Sequence, residues 1–382
     1  MTRHHDSNER NAAASGLQGG RVRPVGVLGA GCAVPEGRLS AGAFEEMAVR
    51  LCAGTDRERG LVSAVVRRSG ITERGISVSV GLDGAASFYT RGEKGSRGPS
   101  TAERMEEFER LAPALASAAG RKALAEAAAA PGAITHLVTA SCTGFSSPGV
   151  DLRLLEDLGL SADTARVHVG FMGCHGAVNA CRAGRALALE SPQVRVLVVV
   201  VELCALHFQY GMGRDELLPN TLFADGAAAL VLGQEAGGGG GLELLGTASR
   251  VIPQSAGAMT WRIGNTGFRM TLDSRVPDLI GAHAGGFVRE ALAEHGLAPE
   301  DVAGWAIHPG GPRVVESVLG ALGLPNEAGD AARTVLRRRG NMSSATLLFV
   351  LEELLRRGTR GPVGALAFGP GLTAEFALFR AR

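Results

Sequence analysis

Residues 167–187 read VHVGFMGCHGAVNACRAGRAL, an apolar strand that passes through a glycine turn into a helix. The helical part is rich in small residues: Ala177, Ala180, Ala183 and Gly184. Small side chains at this density indicate close packing around a helix. We therefore predict a central, buried helix in a layered α/β fold.

Runs of apolar residues on either side of this helix predict further buried strands, since strands covered on both faces lack polar alternation. Helical periodicity spans 43–50 and 102–130. The predicted strands are 23–31, 134–141, 166–171, 194–202, 227–233, 242–250, 304–309, 363–369 and 374–380. The pattern recurs after the glycine run Gly237–Gly241, which indicates two similar α/β halves. We expect a disordered tail at 1–20, a first half at 21–240 and a second half at 241–382.

Composition excludes several classes of protein. The 382 residues carry a formal net charge of +1 and only 4% aromatics, which argues against a dedicated nucleic-acid protein. Six scattered cysteines without CxxC spacing indicate neither a zinc site nor a disulfide framework. The N-terminus lacks the apolar run of a secretory signal, and the longest apolar run, 196–201, is too short to cross a membrane. We expect a cytoplasmic protein that is not in a membrane.

Three polar residues stand at comparable turns that precede predicted helices. Cys174 lies at the start of the small-residue helix, where the helix dipole favours a thiolate. His308 follows an apolar strand, and Asn341 follows a glycine turn before an amphipathic helix. Singly, these could be a buried cysteine, a turn histidine and a helix cap. Together they supply a nucleophile and two hydrogen-bond donors for thioester chemistry.

A papain-like protease also combines cysteine, histidine and asparagine. The local signature C-G-S-C-W is absent here, and more than 170 residues precede Cys174. The sequence therefore disfavours that class.

Four motifs in this chain resemble those of the chalcone and stilbene synthase family, the type III polyketide synthases. They are GFMGCHGA around Cys174, WAIHPGGP around His308, GNMSSAT around Asn341 and FGPGLTAE from Phe368. The resemblance extends from about Val22 to Phe379. It implies an internally duplicated, five-layered αβαβα thiolase fold and a homodimer.

The resemblance also implies a mechanism. Cys174 would be the nucleophile, and His308 and Asn341 would hold the malonyl thioester during decarboxylation. Malonyl-CoA and an acyl-CoA starter would be the substrates, with no metal or organic cofactor. Phe223 matches the gatekeeper phenylalanine of the family.

Further positions concern the substrate. Arg67 and Arg68 fall near the CoA-binding segment, although a solvated helix face would explain them equally well. Departures from plant members would reshape the pocket: Cys142, Cys204, His207, Trp261 and Met270. Tetrahydroxynaphthalene-forming bacterial members also carry cysteine where Cys142 stands. The resemblance therefore favours malonyl or aliphatic starters over phenylpropanoid ones.

The function expected from this resemblance is iterative condensation of malonyl-CoA, followed by cyclisation to a phenolic or pyrone product. Two alternatives stay open. One is a single-condensation ketoacyl synthase of the initiation type, although its histidine motif reads more like NPHQAN. The other is a catalytically silent partner subunit, which would typically lack the nucleophile. A thiolase would need a second cysteine near the C-terminus, and none follows Cys204.

Overall fold

A computed structural model describes residues 25–81, 87–90, 96–234 and 241–382. The predicted tail at 1–20 and most of the glycine run lie outside the described residues. The strands are β1 (Val25–Ala33), β2 (Arg38–Ser40), β3 (Glu73–Gly75), β4 (His136–Ser141), β5 (Ala165–Gly170), β6 (Arg195–Leu203), β7 (Asp225–Gly233), β8 (Leu242–Val251), β9 (Met259–Gly264), β10 (Gly267–Leu272), β11 (Gly304–Ile307), β12 (Gly361–Gly369) and β13 (Thr373–Ala381). The α-helices are α1 (Ala41–Cys52), α2 (Asp56–Ser69), α3 (Thr101–Glu126), α4 (Val150–Leu158), α5 (Gly176–Ala188), α6 (Arg214–Leu222), α7 (Val276–Ala293), α8 (Pro312–Leu322), α9 (Asp330–Arg339) and α10 (Thr346–Arg356).

Nine strands are hydrogen-bonded in the order β11-β12-β13-β8-β1-β7-β6-β4-β5. The run β4-β6-β7-β1 has one parallel pair followed by two antiparallel pairs. The run β11-β12-β13-β8 repeats the same sequence of parallel and antiparallel pairs. This repetition confirms the internal duplication. The two runs meet where β1 pairs with the start of β8.

The helices form layers on and between the two runs of strands. Helix α3 packs on β1, β6 and β7, whereas α7 packs on β8 and β13 and is covered by α8. Helices α5 and α10 each contact strands of both halves. The arrangement is the five-layered αβαβα thiolase fold. Small residues make the central layer possible: a side chain at Gly184 would place its Cβ 2.8 Å from Val198.

The predicted strands are confirmed, but the burial of one of them is not. Strand β5 is an edge strand that pairs only with β4, and most of its residues are exposed. The prediction of burial on both faces is therefore wrong for RVHVGF. The sequence analysis also missed the hairpin β9–β10, which stands outside the nine-stranded sheet.

Among the described residues, no helix has the length and apolar character needed to cross a membrane.

Candidate active site

Cys174 lies in the turn between β5 and α5, two residues before the helix begins at Gly176. The turn requires glycine at 173, because its φ is +81° and a Cβ there would lie 2.2 Å from the Pro370 ring. Cys174 is buried. The Ser343 hydroxyl donates to its Sγ at 3.7 Å. The strand-to-helix position predicted for Cys174 is therefore confirmed.

Burial opposes the thiolate that the helix dipole was expected to favour at Cys174. Burial raises the pKa of Cys174 to about 12, although the hydrogen bond from Ser343 opposes the shift. The nearby carboxylate of Glu202 raises the pKa further. Desolvation is thus the largest of the effects that shift this pKa, and it disfavours the charged thiolate. The sulfur needs a base when it is to act as a nucleophile.

His308 follows β11 directly, and its backbone N–H donates to the carbonyl of Leu366 at 2.8 Å. The side chain is buried, and neither ring nitrogen has a hydrogen-bond partner among the described residues. Burial, with a smaller contribution from the adjacent His175, lowers the pKa of His308 to about 3. A neutral imidazole with both nitrogens unpaired can accept a proton or donate one.

Asn341 follows Gly340 at the end of α9. Its Oδ1 accepts from the Ser343 N–H at 2.9 Å and from the Thr346 hydroxyl at 3.4 Å. The helix cap foreseen for asparagine is not formed, because the N-cap residue of α10 is Ala345, and Asn341 instead closes a local turn onto the Ser343 N–H. Because the carbonyl end is occupied, the NH₂ end of the amide is the part that can serve a ligand.

The backbone of Asn341 pairs with the segment that carries Phe223. The Asn341 N–H donates to the Leu222 carbonyl at 2.9 Å, and the Ala224 N–H donates to the Asn341 carbonyl at 2.9 Å. Phe223 is half-buried and lies two residues before the start of β7. The phenylalanine and the asparagine are thus fixed relative to each other by main-chain hydrogen bonds.

Three adjoining cavities share Phe223 and Met270 in their walls. The first cavity brings Cys174, His308 and Asn341 together. The second is lined by Cys174 as well, and by three more of the predicted pocket residues, Cys142, Cys204 and Trp261. The third lies beyond Trp261 and Cys204 and is lined by His207. The second cavity has a volume of about 20 Å³, enough for little more than one water.

Trp261 and His207 anchor the hairpin β9–β10 against these cavities. Trp261 Nε1 donates to the Cys142 carbonyl at 2.7 Å. His207 Nδ1 accepts from the Phe268 N–H at 3.0 Å, and its Nε2 donates to the Thr143 carbonyl at 2.7 Å. Burial lowers the pKa of His207 to about 3, and its ring stacks on Phe268 with centroids 4.1 Å apart. His207 is therefore a fixed, neutral part of the wall.

Glu202 is a buried residue of the site that sequence reasoning missed. Its carboxylate accepts from the Cys142 N–H at 3.0 Å, from the Thr143 hydroxyl at 2.8 Å and from the Ser344 hydroxyl. Burial raises its pKa. The signal available in the sequence was a charged residue, Glu202, directly after the apolar run 196–201. This carboxylate joins the end of β6 to the loops beside Cys174 and Asn341.

Arg67 and Arg68 are exposed in the last turn of α2, and neither lines the three cavities. Their contact with CoA stays a prediction. Within the described part of the chain, no group of three or more histidine, cysteine, aspartate and glutamate side chains is placed to hold a metal ion.

Comparisons with known proteins agree with this geometry. The sequence profile of the chalcone and stilbene synthase N-terminal domain matches residues 27–236, and that of the C-terminal domain matches residues 243–381. A 1,3,6,8-tetrahydroxynaphthalene synthase from Streptomyces peucetius subsp. caesius is 34% identical over 94% of this chain and 93% of its own length. The α-pyrone synthesis polyketide synthase-like Pks18 of Mycobacterium tuberculosis is 33% identical over 84% of this chain and 82% of its own length.

Solved structures of polyketide synthases are also similar to this chain. The polyketide synthase PKS-I of the brown alga Ectocarpus siliculosus superimposes with a TM-score of 0.89 at 27% identity, over 96% of this chain and 100% of that one. The C-terminal type III polyketide synthase domain of Steely1 from Dictyostelium gives a TM-score of 0.84 at 27% identity, over 94% and 99% of the two chains. This chain therefore belongs to the chalcone and stilbene synthase family, the acyltransferases known as type III polyketide synthases.

Proposed function

We propose that Cys174, His308 and Asn341 catalyse the iterative condensation of malonyl-CoA onto an acyl chain held on Cys174. The observation that carries this proposal is the cavity shared by the three residues, which adjoins the second cavity at Cys174, Phe223 and Met270. A nucleophile and two polar side chains that can donate, brought together in one cavity, are what thioester extension requires. The first half supplies the nucleophile, and the second supplies the histidine and the asparagine.

Loading combines a proton transfer with nucleophilic attack. The Cys174 sulfur attacks the thioester carbonyl of the starter acyl-CoA, and neutral His308 accepts the thiol proton as the S–C bond forms. Collapse of the tetrahedral intermediate expels CoA thiolate, which takes a proton, and leaves the acyl group on Cys174.

Extension uses the same donors on the second substrate. His308 and the Asn341 amide donate to the thioester oxygen of malonyl-CoA, so they stabilise the enolate that forms when CO₂ leaves. The apolar Phe223 ring disfavours the charged malonyl carboxylate and so assists its loss. The enolate carbon attacks the Cys174 thioester, and the sulfur leaves as a thiolate. The product is a CoA thioester that is two carbons longer, which returns to Cys174 for the next round.

The relatives and the pocket residues support a proposal for the product class and the starter class. The tetrahydroxynaphthalene synthase and Pks18 are named for a phenolic product and for α-pyrones. A phenolic ring or a pyrone is accordingly the product class proposed here, from malonyl or aliphatic starters. Trp261 and Met270 narrow the space beside Cys174, which disfavours bulky phenylpropanoid starters. Arg67 and Arg68 are proposed to meet the CoA phosphates.

CoA thioesters are the only small molecules that this mechanism needs, and the proposed compartment is the cytoplasm. A homodimer is also proposed, through β5. The other edge strand of the nine-stranded sheet, β11, is buried, whereas β5 is exposed. Phe145, Phe171 and Met172 are exposed around it. An open strand edge beside apolar side chains suits pairing with the β5 of a second copy.

The test is incubation of the purified protein with radiolabelled malonyl-CoA and a panel of acyl-CoA starters, beside Cys174→Ala. We expect products that contain several malonyl-derived units in wild type, and none in the variant. Products with a single such unit would replace the proposal with a single-condensation synthase. No release of CO₂ with any starter would favour a silent subunit.

A further inference from the structure

Arg74 of β3 is almost fully buried, with 2% of its surface exposed. Its Nη1 donates to the carbonyls of Asn220 at 3.1 Å and Phe223 at 3.0 Å, and its Nη2 donates to the Thr221 carbonyl at 2.7 Å. These carbonyls lie at the C-terminal end of α6, where a helix leaves its acceptors without intrahelical partners. One guanidinium therefore caps the helix that leads into Phe223.

No carboxylate within the described part of the chain forms an ion pair with Arg74. Burial lowers its pKa to about 9, so the side chain is still cationic at neutral pH. Its charge is stabilised by the negative end of the α6 dipole and by the ring of Phe44, 4.0 Å from the guanidinium carbon. Burying a cation without a counter-ion is unfavourable for stability alone. The geometry therefore calls for another reason to place an arginine here.

The C-terminal end of α6, which Arg74 caps, is also bonded to the segment that carries Asn341. Phe223, whose carbonyl Arg74 binds, forms a backbone bridge with Asn341. The hydrogen bonds from Asn341 N–H to Leu222 and from Ala224 N–H to Asn341 complete the pairing. A shift of the α6 terminus would move the Phe223 ring and the Asn341 amide together.

The residues flanking Arg74 hold the same two segments. On one side, the N–H and hydroxyl of Thr72 donate to the Arg337 carbonyl at 2.7 and 2.9 Å, in the helix that precedes Asn341. On the other side, the Ser77 N–H donates to Asp225 Oδ2 at 2.7 Å, two residues after Phe223. Residues 72–77 are therefore hydrogen-bonded to the segment that carries Phe223 and to the helix that precedes Asn341.

We propose that Arg74 is a positioning residue for decarboxylation, because it fixes Phe223 and Asn341 against the malonyl group. Its hydrogen bonds do not reach the turn that carries Cys174. Loading of Cys174 should therefore depend on Arg74 far less than malonyl decarboxylation does. This inference rests on the proposed function of the site.

The experiment measures the two half-reactions separately. Loading is followed by mass spectrometry of Cys174 after mixing with an acyl-CoA starter, and decarboxylation by release of labelled CO₂ from malonyl-CoA. In Arg74→Ala we expect decarboxylation to fall about tenfold more than loading, equivalent to about 1.4 kcal/mol of transition-state stabilisation. Millimolar guanidinium ion should restore part of the decarboxylation, since it can occupy the cavity that Arg74 lines.

Arg104→Ala is the matched control. Arg104 is also fully buried, and it donates to the Tyr89 hydroxyl at 3.3 Å and to the carbonyls of Pro99 at 2.9 Å, Phe208 at 3.0 Å and Leu206, none of which belongs to the Phe223 bridge. Its removal should leave the ratio of the two half-reactions within about twofold of wild type, a change of under 0.5 kcal/mol. Guanidinium should not raise decarboxylation in this variant.

Three results would overturn the inference: a parallel loss of both half-reactions in Arg74→Ala, no loss of either, or no response to guanidinium. If Arg74→Ala does not fold, Arg74→Lys decides, because an ammonium lacks the fork that spans three carbonyls. A lysine variant with the wild-type ratio would also overturn the inference. A wild-type protein that neither loads nor decarboxylates would contradict the proposed function instead.

Discussion

At the scale of single residues, the two ends of the Asn341 amide have different partners. The Oδ1 end accepts from Ser343 and Thr346, and the NH₂ end is proposed to serve the malonyl thioester. Asn341→Asp keeps an acceptor for the local hydrogen bonds but loses the NH₂ donor. We expect it to fold normally and to lower decarboxylation by about 10²–10³-fold, as the loss of one oxyanion donor does.

The measurement is CO₂ release from malonyl-CoA, with loading of Cys174 as the internal control. Loading should persist, because Asn341 is not assigned to that step. A variant that decarboxylates at the wild-type rate would remove Asn341 from the proposed mechanism.

The three residues with proposed catalytic roles could be predicted because each is a polar residue at a turn before a helix, although Cys174 and His308 follow strands whereas Asn341 follows α9. His175 could not, although it follows Cys174 directly. Its ring is hydrogen-bonded to Asn179 at 2.7 Å, and Asn179 donates to Glu375 at 3.1 Å in a distant strand. Arg74 and Glu202 escaped notice for the same reason. Their partners come from segments far away in the sequence, and only the fold reveals them.

At the scale of elements, the hairpin β9–β10 divides the space beside Cys174. Trp261 closes the second cavity, and its ring lies 6.1 Å from that of Phe223 and 5.4 Å from that of His207. Trp261→Ala should join the second and third cavities and so permit longer chains before release. Trp261→Phe, which keeps a ring but loses the N–H donor to Cys142, should change the products much less.

Liquid chromatography with mass spectrometry of the products checks this prediction. An unchanged distribution of chain lengths in Trp261→Ala would show that the hairpin does not limit extension.

A second prediction for an element concerns β5. Val167 on this edge is 42% exposed, and Val251 at the end of β8 is 64% exposed. If β5 pairs with a second copy, Val167→Lys should shift the protein to monomer, because each interface would bury two unpaired ammonium groups. Val251→Lys should stay dimeric.

Light scattering after size exclusion gives the masses. A wild type that elutes as a monomer, or a Val167→Lys dimer, would contradict the β5 interface.

Most elements of the fold could be predicted, because a strand covered on both faces must be apolar throughout. The same rule misjudged β5, whose exposure depends on its place at the edge of the sheet and not on its own composition. The hairpin β9–β10 was missed because polar and apolar residues are mixed in TWRIG and FRMTL. Its position depends on Trp261 and Phe268 contacting Cys142 and His207.

At the scale of the whole molecule, neutral buried histidines couple stability to pH. Burial lowers the pKa of His207 from 6.5 to about 3, so below pH 6.5 the unfolded chain binds a proton that the folded chain does not. The stability that His207 contributes is complete above pH 6.5 and is lost as the pH falls towards 3. At pH 5 the loss is about 2 kcal/mol of unfolding free energy.

His207→Gln should therefore destabilise the protein less at pH 5 than at pH 7, by about 2 kcal/mol. Titratable groups that both proteins contain affect wild type and His207→Gln equally, so they cancel from the comparison. Asp225, whose pKa burial raises to about 6, is such a group. Urea unfolding of both proteins at pH 5 and pH 7 measures the change in unfolding free energy that His207→Gln causes. Met47→Ala, in the same buried region, should show no such dependence. An equal destabilisation by His207→Gln at both pH values would contradict the neutral, buried state of His207.

The central claim is that Cys174 carries the chain while it grows. The most direct measurement is mass spectrometry of the Cys174 peptide, quenched at short times after mixing with starter acyl-CoA and isotopically labelled malonyl-CoA. We predict the starter acyl group on Cys174, followed by species one and more labelled two-carbon units longer on the same residue. Acyl groups on another cysteine, or labelled products formed while Cys174 stays unmodified, would contradict the account.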